Sequence, residues 1–205
     1  MTSKSIATED WTYSYDAENH LTEIRKEGVL ENRYLYDCDG NRVARLGENN
    51  KGAIFIGNYF ESSYPSYSIP DPPPPAVEGG SDLNTDVLSD ISYYYAGGQR
   101  IAMRIGNEPY FLFGDHLGST SVVLDASGQI VDNYLPWGGT RGDETITSTD
   151  YGYTGQMREG DIYYYGARWY DPAIGRFMQA DTIVPLQVQG TQAFDRYAYV
   201  NNNPL

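Results

Sequence analysis

The sequence predicts a mainly β protein, an array of antiparallel β-hairpins with at most one or two short helices near the C-terminus. Three observations carry that prediction. The chain of 205 residues holds 20 Tyr, and Tyr, like Val, Ile and Thr, favours the pleated, half-buried surface of a strand. An aromatic–x–aromatic pair that runs into a short Asp/Gly/Asn cluster occurs at Tyr13-Ser14-Tyr15-Asp16 and again at Tyr34-Leu35-Tyr36-Asp37. Turn residues then punctuate the rest of the chain at short intervals, among 22 Gly and 11 Pro.

The first block is a repeat. Tyr15 and Tyr36 lie 21 positions apart, and each is followed by turn residues, a polar residue and an aliphatic. Alternating rings fall on one face of a strand. Asp, Gly and Asn supply side-chain hydrogen bonds and positive-φ positions for the turn. A hairpin that recurs at this period predicts an array whose neighbours share a sheet. Residues 22–33 (TEIRKEGVLENR) also fit a short amphipathic helix, but Gly28 at their centre favours a second hairpin turn. A further strand pair is expected around Glu48–Gly52, with Ala53–Gly57 as its apolar return strand.

Composition then shifts. From Gly52 to Gln99 there is no Lys or Arg, and Ile69-Pro70-Asp71-Pro72-Pro73-Pro74-Pro75 lies at the centre of that stretch. Proline removes donors, so residues 62–88 read as an exposed loop rather than a central strand. A ligand for a proline-recognising groove is the alternative, without a basic residue or repeated PxxP register to support it. Hairpins resume at Ser92–Arg104 around Gly97-Gly98 and at Ser121–Tyr134 around Asp125–Gly128. Near the end, Ala193–Val200 fits a short helix with Phe194, Tyr197 and Val200 on one stripe, stopped by Asn201–Pro204.

Charge narrows the function classes. Lys plus Arg is 14 and Asp plus Glu is 28, a net charge of −14. No nucleic-acid partner is expected, since phosphate binding needs clustered cations. Membrane insertion is not expected either, because no stretch approaches the ~20 apolar residues of a spanning helix. The N-terminal MTSKSIATEDW has no apolar core of a signal peptide. One cysteine, Cys38, and two histidines, His20 and His116, at scattered positions predict neither an intrachain disulfide nor a metal centre. No cofactor is expected.

Chemistry is sparse. No G-x-S-x-G elbow is present, and Gly97-Gly98 and Gly138-Gly139 lack the Lys-Ser/Thr of a phosphate loop. Asp37-Cys38-Asp39-Gly40 starts like a calcium loop but the later ligands are missing, so a turn is expected. Cys38 among acids offers no setting for a reactive thiolate. Asp115-His116 suits an acid/base pair, yet no nucleophile can be named and Gly118 points to a tight turn. Exposed Tyr and Trp rings can stack on sugars, which makes carbohydrate a possible partner; core packing is the expected role of most of them.

The richest stretch is Tyr151–Leu205. It includes Tyr163-Tyr164-Tyr165-Gly166-Ala167-Arg168-Trp169-Tyr170-Asp171-Pro172 with Gly175-Arg176-Phe177, and Arg196-Tyr197-Ala198-Tyr199-Val200 with Asn202-Asn203-Pro204. With Gly114-Asp115-His116-Leu117-Gly118-Ser119-Thr120 and the Tyr-Asp hairpins, these resemble, in order, the motifs of Rhs/YD-repeat proteins and their RHS repeat-associated core. The resemblance implies 1–61 as YD-repeat hairpins, 62–88 as an insertion and 89–205 as the core, or cap, of a curved β-shell. It implies a non-catalytic structural and interaction module of a secreted or cell-surface toxin-delivery protein. Its expected partners are the remainder of the shell and a C-terminal cargo such as a toxin. It also implies an alternative, a self-cleaving aspartyl protease. Asp181 matches the first aspartate of the family's catalytic pair, and the second is expected beyond Leu205. A lone carboxylate lacks the shared proton of such a pair, so autoproteolysis is expected only with the partner present.

Overall fold

The structure is a computed structural model and describes residues 3–6, 9–47, 52–64, 89–131, 133–142, 146, 148–183 and 194–204. Among the described residues the strands form two antiparallel sheets whose spatial order is their sequence order. The larger runs β1 (Ser3–Ile6), β2 (Glu9–Tyr15), β3 (Leu21–Lys26), β4 (Val29–Tyr36), β5 (Arg42–Gly47), β6 (Gly52–Ile56), β7 (Phe60–Tyr64), β8 (Ser89–Ala96), β9 (Gln99–Ile105), β10 (Glu108–Gly114), β11 (Thr120–Asp125) and β12 (Gly128–Val131). The smaller runs β13 (Met157–Glu159), β14 (Ile162–Tyr164), β15 (Trp169–Asp171) and β16 (Arg176–Phe177). This is the mainly β hairpin array that the sequence predicts.

Residues 22–33 are a hairpin, not a helix. Glu27 and Gly28 both take positive φ, 49° and 80°, the mirror-image turn that suits the right-handed twist of the flanking strands. Gly97 and Gly98 do the same at 59° and 80°. The turn over Glu48–Lys51 and residues 65–88 of the proline-rich stretch lie outside the described residues; residues 62–64 complete β7.

The Tyr-Asp repeat resolves into one turn used several times. In Asp16–His20, Asp37–Asn41 and Asp115–Ser119 the first N–H donates to the fifth carbonyl, and the fourth N–H donates to the first carbonyl. The aspartate Oδ1 then accepts the N–H groups of the third and fifth residues: Glu18 and His20, Asp39 and Asn41, Leu117 and Ser119. The fourth residue is left-handed in each: Asn19 at φ 69°, Gly40 at 78°, Gly118 at 83°. Leu135–Gly139 and Gly152–Gln156 repeat the backbone pattern without the aspartate. Three residues before each aspartate stands a buried side chain, Tyr13, Tyr34 or Leu112.

The chain groups into two compact units, Met1–Tyr93 with Arg104–Glu108, and Tyr94–Met103 with Pro109–Leu205. In the first, Tyr13, Leu21, Ile24, Tyr34, Ala53, Phe55 and Tyr93 are buried. The buried Arg42 guanidinium lies over the rings of Phe55 at 4.5 Å and Tyr34 at 5.5 Å, a contact that strengthens as it is desolvated. Successive turns stack: His20 lies on Tyr36 at 4.8 Å, and the Tyr36 hydroxyl donates to the Leu21 carbonyl at 2.7 Å.

The second unit buries Met103, Leu112 and Val123 together with most rings of Tyr151–Leu205. The predicted helix over 193–200 is replaced by a turn over Asp195–Ala198 and a short 3-10 turn at Val200–Asn202; Ala193 lies outside the described residues. Phe194, Tyr197 and Val200 are 50%, 42% and 50% exposed, and Tyr199 is the buried ring. The reason is tertiary: the Ala198 N–H closes a turn onto the Asp195 carbonyl at 3.0 Å, and Ala198 bridges Arg176, which leaves Tyr199 as the ring turned inward.

Candidate functional site

The second unit centres on an aromatic cluster of Tyr153, Tyr163, Tyr170, Phe177 and Tyr199, with Leu117, Tyr134, Trp137 and Tyr165 against it. Its rings meet edge-on or tilted. Tyr165 and Phe177 stand at 5.5 Å and 88°, and Tyr170 and Tyr199 at 4.5 Å and 37°. Such pairs contribute about 0.5–1.5 kcal/mol each beyond the area they bury.

The hydroxyls do the positioning. Tyr153 donates to the Pro136 carbonyl at 2.7 Å, Tyr170 to the Trp137 carbonyl at 2.8 Å and Tyr163 to the Gly138 carbonyl at 3.0 Å. Three consecutive carbonyls of the Leu135–Gly139 turn are thus each held by a different buried tyrosine. The turn fits closely: a Cβ on Gly138, whose φ is +86°, would come within 2.5 Å of Tyr153 Cδ1. Tyr165 and Thr154 share a hydrogen bond at 2.6 Å, and the Tyr165 hydroxyl donates to that of Tyr199 at 3.0 Å. Burial pushes the phenols of Tyr153, Tyr165 and Tyr170 well above their ordinary value. Committed to hydrogen bonds and held neutral, these groups are poor candidates for proton transfer.

Asp181 lies just beyond this cluster. Its Oδ2 pairs with Arg168 Nη2 at 3.0 Å, and its Oδ1 accepts the Ile183 N–H at 2.9 Å. Its main chain is held as well: its N–H donates to the Arg196 carbonyl at 2.8 Å, and Arg196 Nε donates to its carbonyl at 2.6 Å. Arg168 lies 3.8 Å over the Phe177 ring and reaches the Arg196 carbonyl at 3.3 Å. Burial lowers that guanidinium from its ordinary value while the Asp181 charge works against the shift. Both carboxylate oxygens are therefore engaged, and the residue is tied to the chain at more points than an ordinary strand-end aspartate.

The other sequence candidates are turn elements. Asp115 spends Oδ1 on the Leu117 and Ser119 amides, and His116 is exposed beside it. Asp37 spends its carboxylate on Asp39 and Asn41, with Cys38 exposed on the turn. Among the described residues no three His, Cys, Asp or Glu side chains gather as metal ligands, and no helix is long and apolar enough to cross a membrane. Sequence reasoning missed the tyrosine-held turn and the arginine partners of Asp181. The Trp137-Gly138-Gly139 triplet was the available signal for the first; nothing in the spacing of Arg168, Asp181 and Arg196 announces the second.

The Teneurin YD-shell profile matches residues 82–205. The tRNA nuclease WapA of Bacillus subtilis (strain 168) is 30% identical over 206 residues, covering 95% of this chain and 8% of its own length. The toxin subunit YenC1 of Yersinia entomophaga is 30% identical over 107 residues, 48% of this chain and 10% of its own. In the crystal structure of TcdB2-TccC3, a chain superposes with a TM-score of 0.67 at 20% identity, over 95% of this chain and 10% of that one. The similarity in structure bears on the fold. This chain spans about a tenth or less of the length of each of these proteins.

Proposed function

The chain belongs to the Teneurin YD-shell family, and from that premise we propose that it is a non-catalytic structural module, the cap region of an Rhs-type β-shell that encloses or presents a C-terminal cargo. The observation that carries this reading is the use made of its polar groups. The aspartates Asp37 and Asp115 close turns, and the tyrosine hydroxyls of the aromatic cluster fasten the Leu135–Gly139 turn to β14, β15 and the Gly152–Gln156 turn. Toxin subunits and a nuclease among the similar proteins support a toxin-type cargo and a secreted or surface-delivered parent. The division into hairpins, a proline-rich insertion and a cap over 89–205 belongs to the same reading, with residues 62–64 moved from the insertion to the hairpins because they complete β7. Protease protection tests it. A marker polypeptide fused after Leu205 in the full-length gene product resists digestion if it is enclosed. Digestion at the rate of the free marker contradicts the reading.

A second reading is supported by the anchoring of Asp181. A carboxylate fixed through Arg168 and Ile183 is preorganised in the way reacting groups need to be. It is the residue we assign as one half of an autoproteolytic aspartate pair. Mass spectrometry of the full-length gene product decides: a cut after residue 205 that Asp181→Asn abolishes supports the pair, and an uncut product sinks it.

A further inference from the structure

The segment from Phe194 to Pro204 is held differently from the unit it lies on. Along one side it is zipped to β16 and the residues that follow. The Phe177 N–H donates to the Tyr197 carbonyl at 3.0 Å and the Asp181 N–H to the Arg196 carbonyl at 2.8 Å. Arg176 Nη2 contacts both carboxylate oxygens of Asp195, reaching Oδ2 at 2.6 Å. These ties are polar and lie at the surface: the Arg176 and Asp195 side chains are 41% and 30% exposed. Exposed ion pairs are weak and salt-screened. The deep anchor of the segment is Tyr199, whose ring packs against Tyr170, Tyr165 and Phe177.

Directly after that anchor the backbone is strained. Val200, Asn201 and Asn202 take φ of 41°, 54° and 61°. Three successive left-handed residues with a Cβ are unfavourable, and the β-branched Val200 is the worst placed of them. Strain of this kind persists only where the surroundings impose it, and it collects at switch regions. Here it opposes the contacts that seat Tyr199.

We propose that Asp195–Asn203 is a releasable latch, a strap that opens from β16 as a unit while the aromatic cluster beneath it stays folded. Closed, the strap fills the cluster with Tyr199 and binds Asp181 and Arg168 through Arg196. Open, it vacates the Tyr199 position among Tyr165, Tyr170 and Phe177 and leaves Asp181 with Arg168 and Ile183 alone. The chain beyond the latch is thereby held or freed without unfolding the unit. The inference does not depend on any reaction at Asp181.

Neighbouring amides provide the test. The Phe177 and Asp181 N–H groups bond to the strap, whereas the Met178 N–H, between them, bonds to the Trp169 carbonyl in β15. Hydrogen exchange followed by NMR reads them separately. Arg176→Gln should lower protection at Phe177, Asp181 and Asn202 about threefold while Met178 and Tyr165 hold theirs. High salt should act in the same direction on the unmodified chain. Val200→Gly removes the largest strain and should raise strap protection about threefold, after the entropy glycine adds to the open state. Equal loss at Met178 and Phe177 in Arg176→Gln would show one cooperative unit and overturn the latch. So would Val200→Gly with unchanged or lower strap protection.

Discussion

Gly138→Ala is the substitution that probes the aromatic cluster most sharply. Gly138 sits at φ +86°, and a Cβ there would lie 2.5 Å from Tyr153 Cδ1, 2.8 Å from Cγ and 2.9 Å from Cε1. Two separate penalties follow. The left-handed backbone costs a residue with a Cβ about 1–2 kcal/mol. Displacing a buried ring that is itself bonded to the Pro136 carbonyl adds about 1–3 kcal/mol of overpacking. The sum, about 2–5 kcal/mol, is a large share of the 5–15 kcal/mol typical of a folded domain. Gly166 is the internal control. Its φ is +76°, but nothing lies within 4 Å of a Cβ there, so Gly166→Ala should show only the backbone penalty. Urea unfolding followed by near-UV circular dichroism measures both. Gly138→Ala should be the less stable by about 1–3 kcal/mol. Equal midpoints for the two variants would refute the packing of Tyr153 against the Leu135–Gly139 turn.

Other perturbations follow from the same geometry. Tyr170→Phe keeps the ring and deletes the bond to the Trp137 carbonyl; urea titration should show a loss of about 1–2 kcal/mol. Asp115→Ala removes the acceptor of two turn amides and should cost about 1–2 kcal/mol, with Asp115→Asn nearer to the unmodified chain. At high pH the buried phenols of Tyr153, Tyr165 and Tyr170, raised by desolvation, stay protonated in the folded state. They ionise near pH ~10 once unfolded. The unfolded chain then binds fewer protons, and each phenol lowers stability by about 1.4 kcal/mol per pH unit above that point. Absorbance titration of the folded protein should leave these tyrosines un-ionised at pH 11; full ionisation of all 20 without unfolding would contradict it. At low pH the sign reverses. Asn41 holds the Asp37 carboxyl below its ordinary value, and Ser127 holds that of Asp125. For Asp16, burial acts upward but hydrogen bonds from His20 and Glu18 prevail and lower it. Stability they contribute is complete above the unfolded carboxyl value near ~4 and is lost as pH falls through their folded values. NMR titration of these three carboxyls checks it.

The hairpin array was legible because its turns are local. Tyr13 to His20 and Tyr34 to Asn41 contain the alternation, the aspartate acceptor and the left-handed position within a few residues, and short-range chemistry of that kind survives in a sequence. The Leu135–Gly139 and Gly152–Gln156 turns were harder to see, since they keep the backbone pattern but replace the aspartate with Leu and Gly. The carbonyls of the Leu135–Gly139 turn instead accept hydroxyl hydrogen bonds from tyrosines 17 to 33 residues away. The C-terminal segment departs from its predicted helix for a related reason. The i, i+3, i+6 spacing of Phe194, Tyr197 and Val200 suits a helix, but pairing of Ala198 with Arg176 and of Asp195 with Arg176 outweighs local preference. At the candidate site, Asp181 stood out only by resemblance. The ion pair with Arg168 and the bonds to Arg196 are tertiary, and no spacing along the chain encodes them.

The proposed shell role predicts that the sheet continues into further strands. Among the described residues β1 pairs on one side only, with β2, and an open edge of this kind is a template for another strand. Electron cryomicroscopy of the full-length gene product tests this directly. The predicted result is Ser3–Ile6 hydrogen-bonded along its free edge to an added antiparallel strand, extending the twelve-stranded sheet. A free edge of Ser3–Ile6 facing solvent in the assembled protein would contradict it.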